Sequence, residues 1–278
     1  MHVFKFFLTC GTVPFEPSPD SRLKTDIPPV FAICLLAAAL STTSCTTTKG
    51  KKNAATTAAP TGDASGATGL PSSSGLRDSY NRVETNLPYL ALTFDDGPHP
   101  AHTPRLLDLL KAKNVKATFY VVGTNAKRYP EIMRRIVAEG HEIGNHSVTH
   151  GNLSKMSADG VRNELRVCHE AIVAATGVAP RTMRPPYGAI TSAQKSWIKK
   201  EFGYSTILWS VDPLDWKKPG ASVVASRLVS GAAPGGILLA HDIHGGTIDA
   251  MPSTIDQLLG RGFRFVTVTQ LLAAEPRG

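Results

Sequence analysis

The sequence predicts an α/β fold: a parallel sheet with its helices packed outside. Two observations carry this. From about Tyr80 to the C-terminus, short strand-like runs alternate with longer helix-like ones, seven of each. Potentially reactive side chains follow five of those seven strand-like runs. If such a sheet closes into a barrel, function belongs at the C-terminal ends of its strands. At 278 residues the chain can bury an ample core.

In chain order, the first strand, 89–94, is the end of an apolar run from Leu87 to Phe94. It stops abruptly at Asp95 and Asp96, before Gly97 and Pro98. Neighbouring strand residues point to opposite faces, so one of these carboxylates would enter the core unless the strand stops there and both face a cleft. Gly97 and Pro98 supply the turn. Helix 103–113 ends at Asn114, a suitable C-cap, and strand 117–122 follows. Pro130 suits the first turn of helix 130–139, and Gly140 its C-cap. Strand 142–145 runs into Asn145-His146-Ser147-Val148-Thr149-His150. Helix 158–176 carries Cys168, for which a buried free thiol is expected. Strand 182–184 leads into Arg184-Pro185-Pro186-Tyr187-Gly188, and helix 192–202 follows. Strand 205–209 precedes Asp212-Pro213-Leu214-Asp215-Trp216, then helix 222–230. Strand 237–240 delivers His241, and helix 254–259, strand 263–267 and helix 268–274 complete the series.

Two segments of other composition come first. Residues 27–40 form an apolar run too short to span a bilayer comfortably and of the right length for a signal-peptide core. Ser41-Thr42-Thr43-Ser44 and then Cys45 follow. This resembles a bacterial lipoprotein signal, in which the cysteine is lipidated and becomes the new N-terminus, although Thr42 stands where Leu is usual and the nearest Leu is Leu40. Ordinary signal cleavage and an uncleaved short anchor are the alternatives. All three lead to export into the cell envelope, as a membrane-anchored lipoprotein or as a periplasmic or secreted protein. Residues 46–79, rich in Thr, Ala, Ser and Gly, read as a flexible tether. The organisation expected is therefore an export signal over 1–45, a tether over 46–79 and a catalytic domain over 80–278.

The formal net charge is +8, scattered as pairs such as Lys127-Arg128 and Lys199-Lys200. Without a dense basic run interleaved with aromatics, nucleic acid is excluded as a partner. A basic surface suits an anionic cell-wall polymer. Cys10, Cys34 and Cys45 all precede the domain, so no disulfide framework is available within it.

His146 and His150 are four residues apart. On a helical turn both imidazoles would lie on one side, a common arrangement for chelating one metal. A third ligand from Asp95 or Asp96 would complete a two-histidine, one-carboxylate set with open positions, which Zn²⁺ accepts in catalytic sites. A hydrolase built on it needs a base and an acid. The carboxylate of the pair left off the metal can be the base. Arg184 can pair with it, fixing it and keeping it ionised; the competing reading is a surface ion pair. His241 can be the acid if Asp215 holds it protonated, since a nearby carboxylate raises an imidazole pKa. Trp216 can wall a pocket; the competing reading is core packing.

The set T-F-D-D-G, H-S-x-x-H, R-x-P-Y, D-x-x-D-W and L-x-H, in this order over about residues 85–274, resembles the polysaccharide deacetylase family (NodB-homology domain, carbohydrate esterase family 4). The resemblance implies a distorted (β/α)7 barrel of parallel strands that removes N-acetyl groups from amino sugars of a polysaccharide, with one divalent metal, Zn²⁺ foremost and Co²⁺ or a similar ion as alternative. It implies Asp96, His146 and His150 as metal ligands, Asp95 as general base, Arg184 orienting Asp95, and Asp215 tuning His241 as general acid. It also implies that the backbone N–H of Tyr187 stabilises the oxyanion, and that Trp216 and Leu239 line the pocket for the acetyl methyl. The chemistry implied is direct attack by a metal-bound water, without an acyl-enzyme. A peptidoglycan substrate, reached by a membrane-anchored monomer, is the leading expectation, and chitooligosaccharide the runner-up. A zinc peptidase fits poorly, because His141-Glu142 and His146 exceed H-E-x-x-H spacing by one residue. A serine esterase lacks its G-x-S-x-G elbow. An inactive wall-binding lipoprotein on the same barrel would be favoured by loss of a ligand or of the base, and none is lost.

Overall fold

A computed structural model describes residues 75–276; the export segment, Cys45 and most of the tether lie outside the described residues. The strands are β1 (Ser79–Tyr80), β2 (Tyr89–Asp95), β3 (Thr118–Val121), β4 (Glu142–Asn145), β5 (Thr182–Met183), β6 (Ser205–Ile207), β7 (Gly236–His241) and β8 (Arg264–Phe265). The helices are α1 (His102–Ala112), α2 (Gly123–Arg128), α3 (Pro130–Ala138), α4 (Ala158–Thr176), α5 (Ser192–Phe202), α6 (Ala221–Gly231), α7 (Gly245–Gly260) and α8 (Val268–Ala273). The strands form one sheet in the order β1-β6-β5-β4-β3-β2-β7, with β8 on β2, and every pairing between them is parallel. Two isolated bridges to β7 close the ring, a parallel one from Val211, just past β6, to Leu238 and an antiparallel one from Arg82, just past β1, to Gly236. The barrel is distorted for two reasons visible in the register. That closure rests on isolated bridges rather than a ladder, and β2 shares one edge between β8 at Tyr89–Leu90 and β3 at Thr93–Asp95.

Side-chain parity separates two cores, as alternation along a strand requires. Leu90, Leu92 and Phe94 of β2, with Phe119, Val121, Leu238 and Ala240, pack outward under the helices. Ala91, Tyr120 and Ile237 point inward, where Val268, Leu271 and Leu272 of α8 plug the barrel. Burying both faces explains why the strands read as near-continuous apolar runs. Gly140 (φ 77°) and Asn114 (φ 52°) take the left-handed conformation expected after helices α3 and α1.

Three features depart from the sequence reading. Packing begins before Tyr80. Arg77 pairs with Glu275 at 2.5 Å, and the Asp78 carbonyl accepts from the Thr206 amide at 2.9 Å, so the last few residues assigned to the tether belong to the fold. Helix α2 has no apolar periodicity to announce it; it forms because its first amides are taken up by Ser147 and Val148 carbonyls. Helix α7 starts nine residues earlier than expected, despite Gly245, Gly246 and an internal Pro252. Burial of Ile248, Met251, Ile255 and Leu258 at helical spacing outweighs those local penalties. Among the described residues no helix is long and apolar enough to cross a membrane.

Candidate active site

Asp95 is the last residue of β2, and the register sets it opposite His241 of β7 and Tyr120 of β3. Asp96 then adopts φ 75°, a left-handed conformation that aspartate tolerates better than most residues. This reversal breaks the strand alternation and brings both carboxylates to one cleft: His146 Nε2 lies 3.8 Å from Asp95 Oδ2 and 3.3 Å from Asp96 Oδ1.

Gly97 lets the turn approach the wall behind it. A Cβ there would lie 2.7 Å from Asp242 Cγ and closer still to its oxygens. That carboxyl is wholly buried, accepts from the Thr103 hydroxyl, and is pushed up to about 7 by its burial. Gly97→Ala is expected to cost ~1–3 kcal/mol through overpacking. The check is a lower thermal midpoint, by ~2–4 °C for each kcal/mol in a domain of this size.

His146 and His150 do share a target, but not through a helical turn. The 146–150 segment is an irregular loop with Ser147 at φ 64° and His150 at φ 60°. Helical geometry is absent because side chains take up the loop amides: Asn145 Oδ1 accepts from Ser147 N–H at 2.9 Å and Ser147 Oγ from His150 N–H at 3.0 Å.

The donor set fits a divalent cation. His146 Nδ1 is 2.7 Å from the Arg184 carbonyl, which can only accept, so Nδ1 donates. In the neutral ring Nε2 is then a lone pair. It faces Asp96 Oδ1, a buried oxygen with no hydrogen-bond donor, as does His150 Nε2 at 3.0 Å. The three ligand atoms lie within 4.8 Å of one another. Acceptors converging on one point are the arrangement a cation resolves. Burial opposes ionisation of Asp96, but imidazole protons at His146 and His150 outweigh it and hold the carboxyl well below the usual range; a cation at the same point would supply that opposite charge while the rings stay neutral.

Arg184 is fully buried, not a surface ion pair. Its Nη1 donates to Asp95 Oδ1 and to Thr93 Oγ1, both at 2.7 Å, while Nε and Nη2 donate to the carbonyls of Ile207 and Leu208. Its guanidinium lies 4.3 Å from the centre of the Tyr120 ring. Asp95 therefore has a fixed partner on one oxygen, with the other turned to the cleft.

Asp215 starts a short 3₁₀ turn (Asp215–Lys217). It accepts His241 Nδ1–H at 2.8 Å on Oδ1, and His241 N–H and the Thr247 hydroxyl on Oδ2. Burial would lower the His241 pKa, but Asp215, with help from Asp95 and Asp96, pushes it up to about 9. Asp215 is lowered in turn: its burial is outweighed by His241.

All these groups meet in a cleft of about 400 Å³, walled by Tyr187, Trp209, Asp212, Trp216 and Leu239. Trp216 is 50% exposed, which excludes the core-packing reading. Tyr187 sits at φ 61° in the turn Pro186–Gly188, with its hydroxyl 3.2 Å from His150 Nδ1. The cleft thus holds every site residue expected from the sequence except Arg184 and Asp215, which sit directly behind it. Trp209 and Asp212 were not foreseen as lining residues, though both follow strand β6. Thr93 belongs to the T-F-D-D-G motif but its contact with Arg184 had no sequence signal, and Thr247, a lone threonine, carries none.

Residues 82–207 match the family model for polysaccharide deacetylases. The chain is 41% identical over 196 residues to a peptidoglycan-N-acetylglucosamine deacetylase of Bacillus cereus, covering 69% of each. It is 42% identical over 182 residues to the peptidoglycan-N-acetylglucosamine deacetylase PgdA of Listeria monocytogenes, covering 66% of this chain but only 38% of that longer protein. Among solved structures, the Bc1960 peptidoglycan N-acetylglucosamine deacetylase superposes with a TM-score of 0.68 at 37% identity, over 72% of this chain and 95% of the other. With 41% identity over 69% of each chain in the first of these relatives, the chain belongs to the polysaccharide deacetylase family.

Proposed function

We propose that this protein hydrolyses the N-acetyl group of N-acetylglucosamine in peptidoglycan, using one divalent metal, Zn²⁺ foremost. The observation that carries the reading is the convergence in one cleft of ligand atoms from Asp96, His146 and His150, with an Arg-clamped Asp95 on one side and an Asp-paired His241 on the other. Asp96, His146 and His150 would hold the metal, which supplies a Lewis acid for the carbonyl and lowers the pKa of water. Asp95, oriented by Arg184, takes a proton from the water whose oxygen adds to the acetyl carbon. The Tyr187 N–H stabilises the oxyanion of the tetrahedral adduct. His241 donates its Nε2 proton to the amide nitrogen as the C–N bond breaks, leaving acetate and a free amine. The other His241 nitrogen is engaged by Asp215, which leaves Nε2 for this transfer. Trp216 and Leu239 enclose the acetyl methyl, and exposed Tyr187 and Trp216 offer flat faces to the sugar rings.

The peptidoglycan assignment is supported by the names of the relatives and of the superposed structure. Action outside the cytoplasm follows from that substrate. The apolar run 27–40 and Cys45 support export with a lipid anchor and a tether that keeps the barrel near the wall.

Acetate release by the full chain, measured with and without chelator on peptidoglycan and on N-acetylglucosamine oligomers, tests this. Chelation is expected to reduce release from peptidoglycan more than ~100-fold, and added Zn²⁺ to restore it. Release from oligomers alone would move the substrate to chitin-like chains. No release from either, with metal restored, would leave the inactive wall-binding reading.

A further inference from the structure

We propose that Glu164, on helix α4, is a positioning residue for the metal: it sets the loop that presents His150. The inference rests on the metal reading above.

The loop from Ser147 to His150 is an unlikely shape for its sequence. Two of its four residues, neither of them glycine, lie in the left-handed region, a conformation that persists only where surroundings over-determine it. Each of its four backbone amides is accounted for by a side-chain oxygen. Ser147 N–H goes to Asn145 Oδ1 and His150 N–H to Ser147 Oγ, both within the segment itself. The middle two go outside it. Val148 N–H and Thr149 N–H both donate to Glu164 Oε2 at 2.9 Å, and the Thr149 hydroxyl donates to Glu164 Oε1 at 2.7 Å. Glu164 and Val148 are buried, so the Val148 amide has no ready substitute in water, whereas Thr149 is exposed. Among the described residues Glu164 is the one acceptor of the loop amides that lies far from the loop in sequence, Asn145 being the adjacent end of β4, and it comes from a long helix.

Helix α4 is itself fixed at this point. Its Leu165 carbonyl accepts from Asn145 Nδ2 at 2.8 Å, and Leu165 and Cys168 are buried on the same face. The two histidines are therefore held differently. His146 is fixed by the sheet: its amide donates to Val121 and its Nδ1 contacts the Arg184 carbonyl. His150 depends on the loop. Removing the Glu164 carboxylate releases the Val148 and Thr149 amides, leaving the loop held by its Ser147 and Val148 carbonyls on helix α2 and by the Tyr187 hydroxyl at His150 Nδ1, and lets His150 Nε2 drift from the point it shares with Asp96 and His146. Partners behind metal ligands typically control affinity by 10–100-fold.

The test is Zn²⁺ affinity of the metal-stripped full chain, by competition with a chromophoric chelator, together with the visible spectrum of the Co²⁺-loaded protein. Glu164→Ala is expected to weaken Zn²⁺ binding ~10–100-fold and to alter the Co²⁺ bands. Glu164→Gln keeps the reach and an acceptor oxygen for both amides, and its NH₂ can donate to Thr149 Oγ; its affinity is expected within about threefold of wild type. Glu164→Asp keeps the charge but withdraws the oxygens by one methylene, and is expected to weaken binding more than Glu164→Gln does. This pair decides the matter even if Glu164→Ala fails to fold. A folded Glu164→Ala protein with wild-type affinity and spectrum overturns the proposal, as does Glu164→Asp binding more tightly than Glu164→Gln. Failure of the metal reading itself looks different: the unaltered protein binds no Zn²⁺, or His150→Ala binds it as tightly.

Discussion

Asp95→Asn is expected to lower kcat by ~10²–10⁴-fold while leaving Zn²⁺ affinity close to that of the unaltered protein. The rate range is that of a lost general base, equivalent to ~3–5 kcal/mol of transition-state stabilisation at 1.36 kcal/mol per decade. Metal affinity is spared because the convergent ligand set is Asp96, His146 and His150; Asp95 Oδ2 stands further off, at 3.8 Å from His146 Nε2. The amide oxygen can still accept from Arg184, but the charge that balances a fully buried guanidinium is gone. Some loss of stability is therefore expected, and the rate has to be taken per folded molecule, with melting recorded alongside. Full activity in this variant would remove Asp95 from the chemistry. Lost Zn²⁺ affinity with the fold intact would make Asp95 a ligand and leave the base unassigned.

Asp215→Asn is expected to be of similar size and to carry a pH signature. His241, pushed up to about 9 by Asp215 after burial has been offset, is an imidazolium at neutral pH. The rate should fall as pH rises through about 9, where the acid loses its proton. Without the Asp215 charge the limb should move down towards the ordinary histidine range near ~6.5. A second loss adds to this. Four donors converge on the Asp215 carboxylate: Trp216 N–H, His241 N–H, His241 Nδ1–H and the Thr247 hydroxyl. An amide NH₂ turns a donor towards donors, so the ring loses its orientation as well as its proton. Together these give a fall in kcat of ~10²–10⁴-fold at neutral pH. An unchanged alkaline limb would show that His241 is not the acid. The same pair links stability to pH. Because the His241 pKa is raised on folding, its contribution is complete below the unfolded value near ~6.5 and is lost as pH rises through about 9.

Much of this site was legible in the sequence because its groups sit at strand ends. A buried strand of a parallel sheet is an apolar run, and polarity returns where the strand leaves the core. Asp95, the loop after Asn145, Arg184 and His241 all appear as sudden polar residues after apolar ones. The apolar runs themselves located β2, β3 and β7 to within a residue or two. The local chemistry of Asn114, Pro130 and Gly140 located the ends of α1 and α3.

What failed had no local signal. Helix α7 extends nine residues before the expected start because burial against the rest of the domain overrides the local penalties of Gly245, Gly246 and Pro252. The helical turn read into His146 and His150 was wrong for a related reason. Spacing reports backbone geometry only if the backbone satisfies its own hydrogen bonds, and here Asn145, Ser147 and Glu164 satisfy the loop amides instead.

Fold class, the order of the elements and the residue types that carry the chemistry are readable from the chain alone, because hydrophobic periodicity and polar strand ends are local properties. How the groups are paired is fixed by the folded barrel: Asp96 turns back beside Asp95, Arg184 is buried against Asp95, and Glu164, fourteen residues beyond His150, takes up the Val148 and Thr149 amides between the two histidines. Those relations depend on strand register and on hydrogen bonds between distant segments, which exist only once the barrel has closed.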